Sequence, residues 1–148
     1  MNVTKLDQLL YLKTCTSNKI ATECKYLEHT EIIPKSMKQV LYHYLEFYGR
    51  YLPLQIKVAK RLLHINKLVP IYVNQQTILF PIRPQRSPIQ CYINAKHIVA
   101  MHAINNHIII VFEQQIQLII DAPYTLNYNK WKESLLLSHL IPLNYAID

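Results

Sequence analysis

The chain has 148 residues, a formal net charge of +7, 51% hydrophobic residues and 17% charged residues. That is one domain's worth of chain with enough apolar side chain for a core, which excludes disorder as its main state. Its longest aliphatic-aromatic run, Ile108-Ile109-Ile110-Val111-Phe112, is far short of the roughly 18 residues that span a bilayer, so no membrane partner is expected.

In chain order, residues 1–14 are expected to hold a short helix through Leu6, Leu9 and Leu10. Short β-like runs follow at Lys19-Ile20-Ala21-Thr22, Lys25-Tyr26-Leu27 and Ile32-Ile33. The first strong helix opens at Ser36, whose S-x-x-Q spacing to Gln39 is a capping box. Met37, Val40, Leu41, Tyr44, Leu45 and Tyr48 then recur on one helical face. Gly49, the single glycine of the chain, stands where a left-handed terminating residue belongs. A second helix is expected over 53–66 with Pro53 in its first turn. Its apolar stripe is Leu54, Val58, Leu62 and Ile65, flanked by Ala59 and Leu63; the opposite stripe is Lys57, Lys60, Arg61 and His64. Two helices joined by a short turn superficially resemble a helix-turn-helix.

Strands are expected at Pro70-Ile71-Tyr72-Val73 and Thr77-Ile78-Leu79-Phe80 around an Asn74-Gln75-Gln76 turn. A proline-punctuated loop, Pro81-Ile82-Arg83-Pro84-Gln85-Arg86-Ser87-Pro88, leads to a strand at Cys91-Tyr92-Ile93-Asn94. Runs at 97–104 and 107–112 flank Asn105-Asn106, a two-residue hairpin turn. A further strand over 115–120 follows a Glu113-Gln114 turn. A last helix over 125–139 turns Trp131 and Leu135 inward and stops before Pro142. The fold class is α+β: a single domain with an antiparallel β meander and about three helices.

Charge is unevenly spread. Residues 35–96 carry ten basic side chains against Glu46 alone, and all four arginines lie there. The flanks are neutral (1–34) and slightly acidic (97–148). A basic middle between such flanks is the footprint of a polyanion partner. Arg83 and Arg86 sit in a loop stiffened by Pro81, Pro84 and Pro88; arginines on a stiff, narrow backbone suit the negative minor groove of A·T-rich DNA. Lys57, Lys60, Arg61 and Arg50 are phosphate candidates, with Lys67 and Lys96 added to the same set. Tyr48, Tyr51, Tyr72 and Tyr92 interleave with this charge. They keep stacking on single-stranded nucleic acid or RNA open as an alternative, and core tyrosines explain them equally.

Catalysis finds little support. With one glycine, G-x-G-x-x-G and Walker cradles are absent, so no nucleotide cofactor is expected. No serine lies in a G-x-S-x-G elbow, and the Cys91–His97 spacing defines no geometry. His97, His102 and His107 are spaced by five, which alternates strand faces and suits no metal centre. The protein is not expected to be an enzyme. Cys15, Cys24 and Cys91 are odd in number and lack C-x-x-C spacing, and the N-terminus lacks a basic and apolar leader pattern; a cytoplasmic protein is expected.

The stretch Leu45-Glu46-Phe47-Tyr48-Gly49-Arg50-Tyr51 resembles a segment of the competence transcription factor ComK family. So do Leu68-Val69-Pro70-Ile71-Tyr72-Val73, Ile78-Leu79-Phe80-Pro81, and then Pro88, Cys91, Tyr92-Ile93 and His97-Ile98, in matching order over about residues 19–138. The resemblance implies a DNA-binding domain over 19–148 behind an N-terminal segment, 1–18. It implies a bacterial, nucleoid-associated activator of competence (DNA-uptake) genes. Such a protein recognises paired A/T-rich boxes largely through the minor groove, binds promoter DNA as a homodimer or higher oligomer, and has RNA polymerase as a further partner. Where the family often has Asn-Gly at a strand turn, this chain has Glu113-Gln114.

Overall fold

Leucines at positions 6, 9, 10 and 12 are all buried, yet they do not build the helix that their spacing predicts. In the computed structural model, which describes residues 3–146, Val3–Gln8 form a 3₁₀ turn and Leu9–Thr14 form strand β1. Leu9 and Leu12 join one core cluster, Leu10 and Tyr11 another. A strand covered on both sides loses its polar alternation, and a short apolar run of that kind does not separate strand from helix.

The two runs expected over 19–27 merge into a single strand, β2 (Thr22–Tyr26), which pairs with β3 (Thr30–Ile33). Helix α1 spans Met37–Phe47. Its capping box is formed: Ser36 Oγ accepts from Gln39 N at 3.2 Å, and Gln39 Oε1 accepts from Ser36 N at 2.9 Å. Met37, Val40, Leu41, Tyr44 and Leu45 are buried as the periodicity predicts, while Tyr48 is the exposed C-cap. Gly49 follows at φ +66°, its N–H donating to Glu46 O at 2.9 Å.

Helix α2 spans Leu52–Leu63, shorter than expected, because His64 turns left-handed at φ 55°. Its buried face is Leu52, Gln55 and Ala59. Leu54, expected in the apolar stripe, is 51% exposed. Ala59 shares a buried cluster with Tyr72 and Ile78 of the sheet and Leu137 of the last helix; its small side chain lets both neighbours approach. Val58 and Leu62 flank it, half-buried.

Strands β4 (Ile71–Asn74), β5 (Thr77–Pro81) and β6 (Cys91–Asn94) follow. Asn74 Oδ1 accepts from Gln76 N at 2.8 Å and closes the β4–β5 turn. The six strands form one antiparallel sheet in the order β3-β2-β1-β6-β5-β4. Residues 9–14 therefore occupy its middle. Asn94, fully buried, stitches this sheet: Nδ2 donates to Leu9 O at 2.8 Å and Gln76 O at 3.1 Å, and Oδ1 accepts from Ile78 N at 3.2 Å.

A separate three-stranded antiparallel sheet is made by β7 (Ile98–Ile104), β8 (His107–Phe112) and β9 (Gln117–Ile120). Its first hairpin is the expected one, with Asn105 at φ 54° and Ile104 paired with His107. The second connection is longer than a Glu113-Gln114 turn: Gln114 and Gln115 both take positive φ, and Phe112 N donates to Ile116 O at 2.7 Å. Helix α3 spans Tyr124–Ala146 and runs through Pro142, where a stop was expected. Trp131 points inward as expected, its Nε1 donating to Ala95 O at 3.2 Å. Leu135 does not; it is 37% exposed. The buried stripe is instead Asn127, Lys130, Ser134, Leu137, Ser138 and Ile141. Three helices and two antiparallel sheets make a single α+β domain.

Candidate nucleic-acid interface

The loop between β5 and β6 is rooted by Ile82, whose N–H donates to Cys91 O at 2.9 Å. Its far end is tied to β1: Gln90 N donates to Thr14 Oγ1 at 3.0 Å and Thr14 N to Gln90 O at 2.9 Å. Between these ties the backbone turns on itself through Ser87 N to Pro84 O, 3.0 Å, and Ser87 Oγ to Ile89 O, 2.8 Å. Gln90 Nε2 also donates to Gln85 O. Prolines at 81, 84 and 88 fix three φ angles. Little ordering entropy is left to lose on binding. Arg83 and Arg86 project from this frame, exposed. Arg83 Nη2 has one long contact, 3.4 Å to Asp121 O, and the rest of its guanidinium fork stays available.

Facing the loop is the segment that follows α2. Leu68 sits at φ 50°, a conformation rare for a branched side chain. The conformation is held from α3: Lys130 Nζ donates to Lys67 O at 3.1 Å and pairs with Glu133 Oε2 at 2.9 Å. The Lys67 side chain is left exposed. Loop, segment and α2 enclose a cleft of about 370 Å³ into which Lys60, Lys67, Arg83 and Arg86 all face. Two further grooves adjoin the same loop. One is lined by Lys38 with Gln85, Gln90 and Tyr92; the other by Lys19 and Lys38 beside Ser87 and Pro88. No carboxylate lines any of the three, so the positive potential there is uncancelled and attracts anions.

Four of the eight basic residues singled out in the sequence thus meet in one cleft. Lys57 and Arg61 are exposed on α2 but do not line it. Arg50 is turned inward: Nε donates to Val73 O at 3.0 Å and the guanidinium lies 4.9 Å from the Tyr72 ring centre, which pins the α1–α2 corner to β4. Lys96 is half-buried in a 3₁₀ turn, away from the cleft lining. Tyr72 and Tyr92 are buried, whereas Tyr48 and Tyr51 are exposed. Sequence reasoning missed Lys19 and Lys38. Lys38 was marked by its place in the first turn of α1; nothing local marked Lys19. Packing of α2 against both β4 and α3 also separates this helix pair from a freely projecting helix-turn-helix.

Cysteine chemistry is suppressed by burial, which pushes the Cys91 thiol up to about 12 and Cys24 to about 11. Both stay protonated, and so poorly nucleophilic, at neutral pH. His97 is committed internally, with Nε2 against Asp7 O and Nδ1 3.2 Å from Glu113 Oε1. Among the described residues no group of three His, Cys, Asp or Glu could hold a metal ion, and no helix is long and apolar enough to cross a membrane.

A protein-family model described as ComK protein matches residues 3–139. The chain belongs to the ComK family. No match was found among curated proteins or among solved structures. ComK proteins are a family of competence transcription factors, not of enzymes. In this ComK protein the matched region takes in both sheets, α1, α2 and the cleft with its arginine loop.

Proposed function

We propose that this ComK-family protein is a sequence-preferring double-stranded DNA-binding activator of competence genes, reading A/T-rich boxes largely through the minor groove. The observation that carries the reading is the meeting of Lys60, Lys67, Arg83 and Arg86 around one cleft with no carboxylate in its lining. A narrow A·T-rich minor groove concentrates negative potential and attracts inserted arginine. The self-bonded, proline-fixed loop delivers Arg83 and Arg86 to it. Lys60 and Lys67 beside the loop take flanking phosphates, and Lys57 and Arg61 extend that contact along α2; phosphate contacts set orientation without reading sequence. Arg50 supports the surface from beneath, and Lys96 reaches more distant phosphates. The protein works in the cytoplasm on the bacterial nucleoid, as a homodimer or higher oligomer on promoter DNA, with RNA polymerase as its further partner.

The test is an anisotropy titration at two salt concentrations. It compares a duplex bearing paired A-tract and T-tract boxes with a G·C-rich duplex of equal length. A preference for the A/T duplex that survives the higher salt is expected. Binding indifferent to sequence that collapses with salt refutes the reading. A single-stranded competitor addresses the second reading, which the exposed rings of Phe47 and Tyr51 at the α1–α2 corner favour: displacement of the duplex by an equal concentration of single strand would select it.

A further inference from the structure

Docking against a duplex accounts for the cations of the cleft but not for its walls. Between the basic side chains the cleft is lined by Ile56, Leu68, Val69, Ile71 and Pro81. The phosphates that those cations would hold give such apolar surface nothing to bury. Tyr92 also lines the cleft, although it is buried, only 4% exposed. Two carboxamides, Asn66 and Gln85, complete the lining. The Gln85 backbone carbonyl is engaged by Gln90 within the loop, which fixes where its side chain starts.

Concavity, apolar walls and a few convergent polar groups are the marks of a small-molecule site. The cleft's volume of about 370 Å³ suits a ligand of nucleotide size. Four cations and no carboxylate require that ligand to be an anion. The half-buried Ile56, Leu68 and Val69 in the cleft wall favour a ligand that carries an apolar body as well. We infer that the cleft binds a single nucleoside phosphate, its phosphate held by Lys60, Lys67, Arg83 and Arg86 and its base laid against the half-buried Ile56, Leu68 and Val69. Asn66 and Gln85 then face the base edge. Carboxamides pair bidentately with the N6 and N7 edge of adenine, so adenine is the favoured base.

The inference stands on the cleft and not on duplex binding, but the two share cations. A bound nucleotide therefore competes with DNA, and the nucleotide level sets how much protein is free for promoters. The same chemistry is offered by a free nucleotide and by a nucleotide swung out of a strand.

Titration calorimetry of the full chain with AMP, adenosine and inorganic phosphate separately, without DNA, tests it. AMP is expected to bind at least about tenfold more tightly than either fragment, because each fragment satisfies only one wall. Arg86→Ala, an exposed loop change that leaves the core intact, should weaken AMP about tenfold. Lys132→Ala, which removes a cation from α3 far along the chain, should leave it unchanged. Gln85→Ala should abolish the preference for AMP over CMP and spare phosphate. AMP binding no tighter than phosphate, or an equal loss in K132A, overturns the inference. A six-residue deoxyadenosine strand separates the sources. Cleft-dependent binding well beyond that of AMP assigns the site to a strand, and binding equal to AMP assigns it to the free nucleotide. A failed calorimetric result alongside retained A/T-duplex preference would remove the nucleotide site and leave the DNA reading standing.

Discussion

Around the six-stranded sheet the grooves are lined by Lys19, Lys38, Lys60, Lys67, Arg83 and Arg86 and by no carboxylate, whereas residues 97–121, which hold the three-stranded sheet, contain no lysine or arginine at all. What that second sheet turns to solvent is aliphatic: Val99, Ile104 and Ile119 are each more than half exposed. The contrast follows the backbone. Most of the clustered cations sit on connections, where neither strand pairing nor packing constrains the side chain. The exposed aliphatics sit on strands, where branched residues are favoured whichever face they meet. A charge count along the chain therefore finds the connections that form the cationic face and is silent about the other sheet.

The largest effect that separates the two regions is alkaline. Burial raises Cys24 to about 11, and Tyr26, Cys91 and Tyr92 to about 12, and raises Tyr44 further still. All five belong to the six-stranded sheet or to α1 packed on it. Each group holds its proton more tightly folded than unfolded. The stability they confer is complete below pH 9 and lost as pH rises from 9 toward 12. Far-UV circular dichroism should show cooperative unfolding within that window. A fold that persists at pH 12 would contradict these burials.

Next is Phe112 on β8, 1% exposed and 5.9 Å from the Tyr11 ring of β1. It shares a core cluster with Phe80 and Ile93, so it fastens the small sheet to the large one. Phe112→Ala is expected to cost about 3–5 kcal/mol in urea denaturation, in one transition. Two transitions would show that the sheets unfold separately and sharpen the division between them.

Lys130→Met crosses the division from the other side. It removes the support that α3 gives to Lys67 O, at a cost of about 1–3 kcal/mol, and should weaken DNA binding although residue 130 touches no groove. Unchanged affinity would mean that the segment 64–69 keeps its shape unaided. The smallest effects are single cations. Arg83→Ala or Arg86→Ala should cost about 1–3 kcal/mol on A/T duplex and less on random duplex. Lys60→Ala should weaken both alike and reduce the salt slope by about 1. Equal losses from all three would remove any distinction between groove and phosphate contacts.

Helix α1 was legible because its signals are local: a capping box, a five-residue apolar face and a glycine at positive φ. The β7–β8 hairpin was legible through Asn105 for the same reason. Helix α3 was misread at Leu135 because its buried stripe is polar. Asn127 Nδ2 and Ser134 Oγ donate to the carbonyls of Pro123 and Lys130, four residues back, and Lys130 finds its partners on Lys67 and Glu133. Hydrophobic periodicity cannot see a buried face built largely from polar side chains. The arginine loop was readable from its prolines. Its meeting with Lys60 and Lys67 was not, because that depends on α2 lying across β4 while β5 delivers the loop. Arg50 read as one more cation, and only the Tyr72 ring and the Val73 carbonyl give it another task.

Strand β1 also bears on how the chain is made. It lies between β2, its near neighbour in sequence, and β6, which begins at Cys91. A nascent chain emerges N-terminus first, so β3, β2 and β1 can pair early while the far edge of β1 stays unpaired. That edge is flanked by leucines and closes only when residues 91–94 have left the ribosome. Until then the growing chain carries an open apolar strand edge, the feature that templates misassembly between neighbouring chains. The long-range closure of β1 on β6 makes this a high-contact-order sheet, and the rate of synthesis through its middle third sets how long that edge stays open.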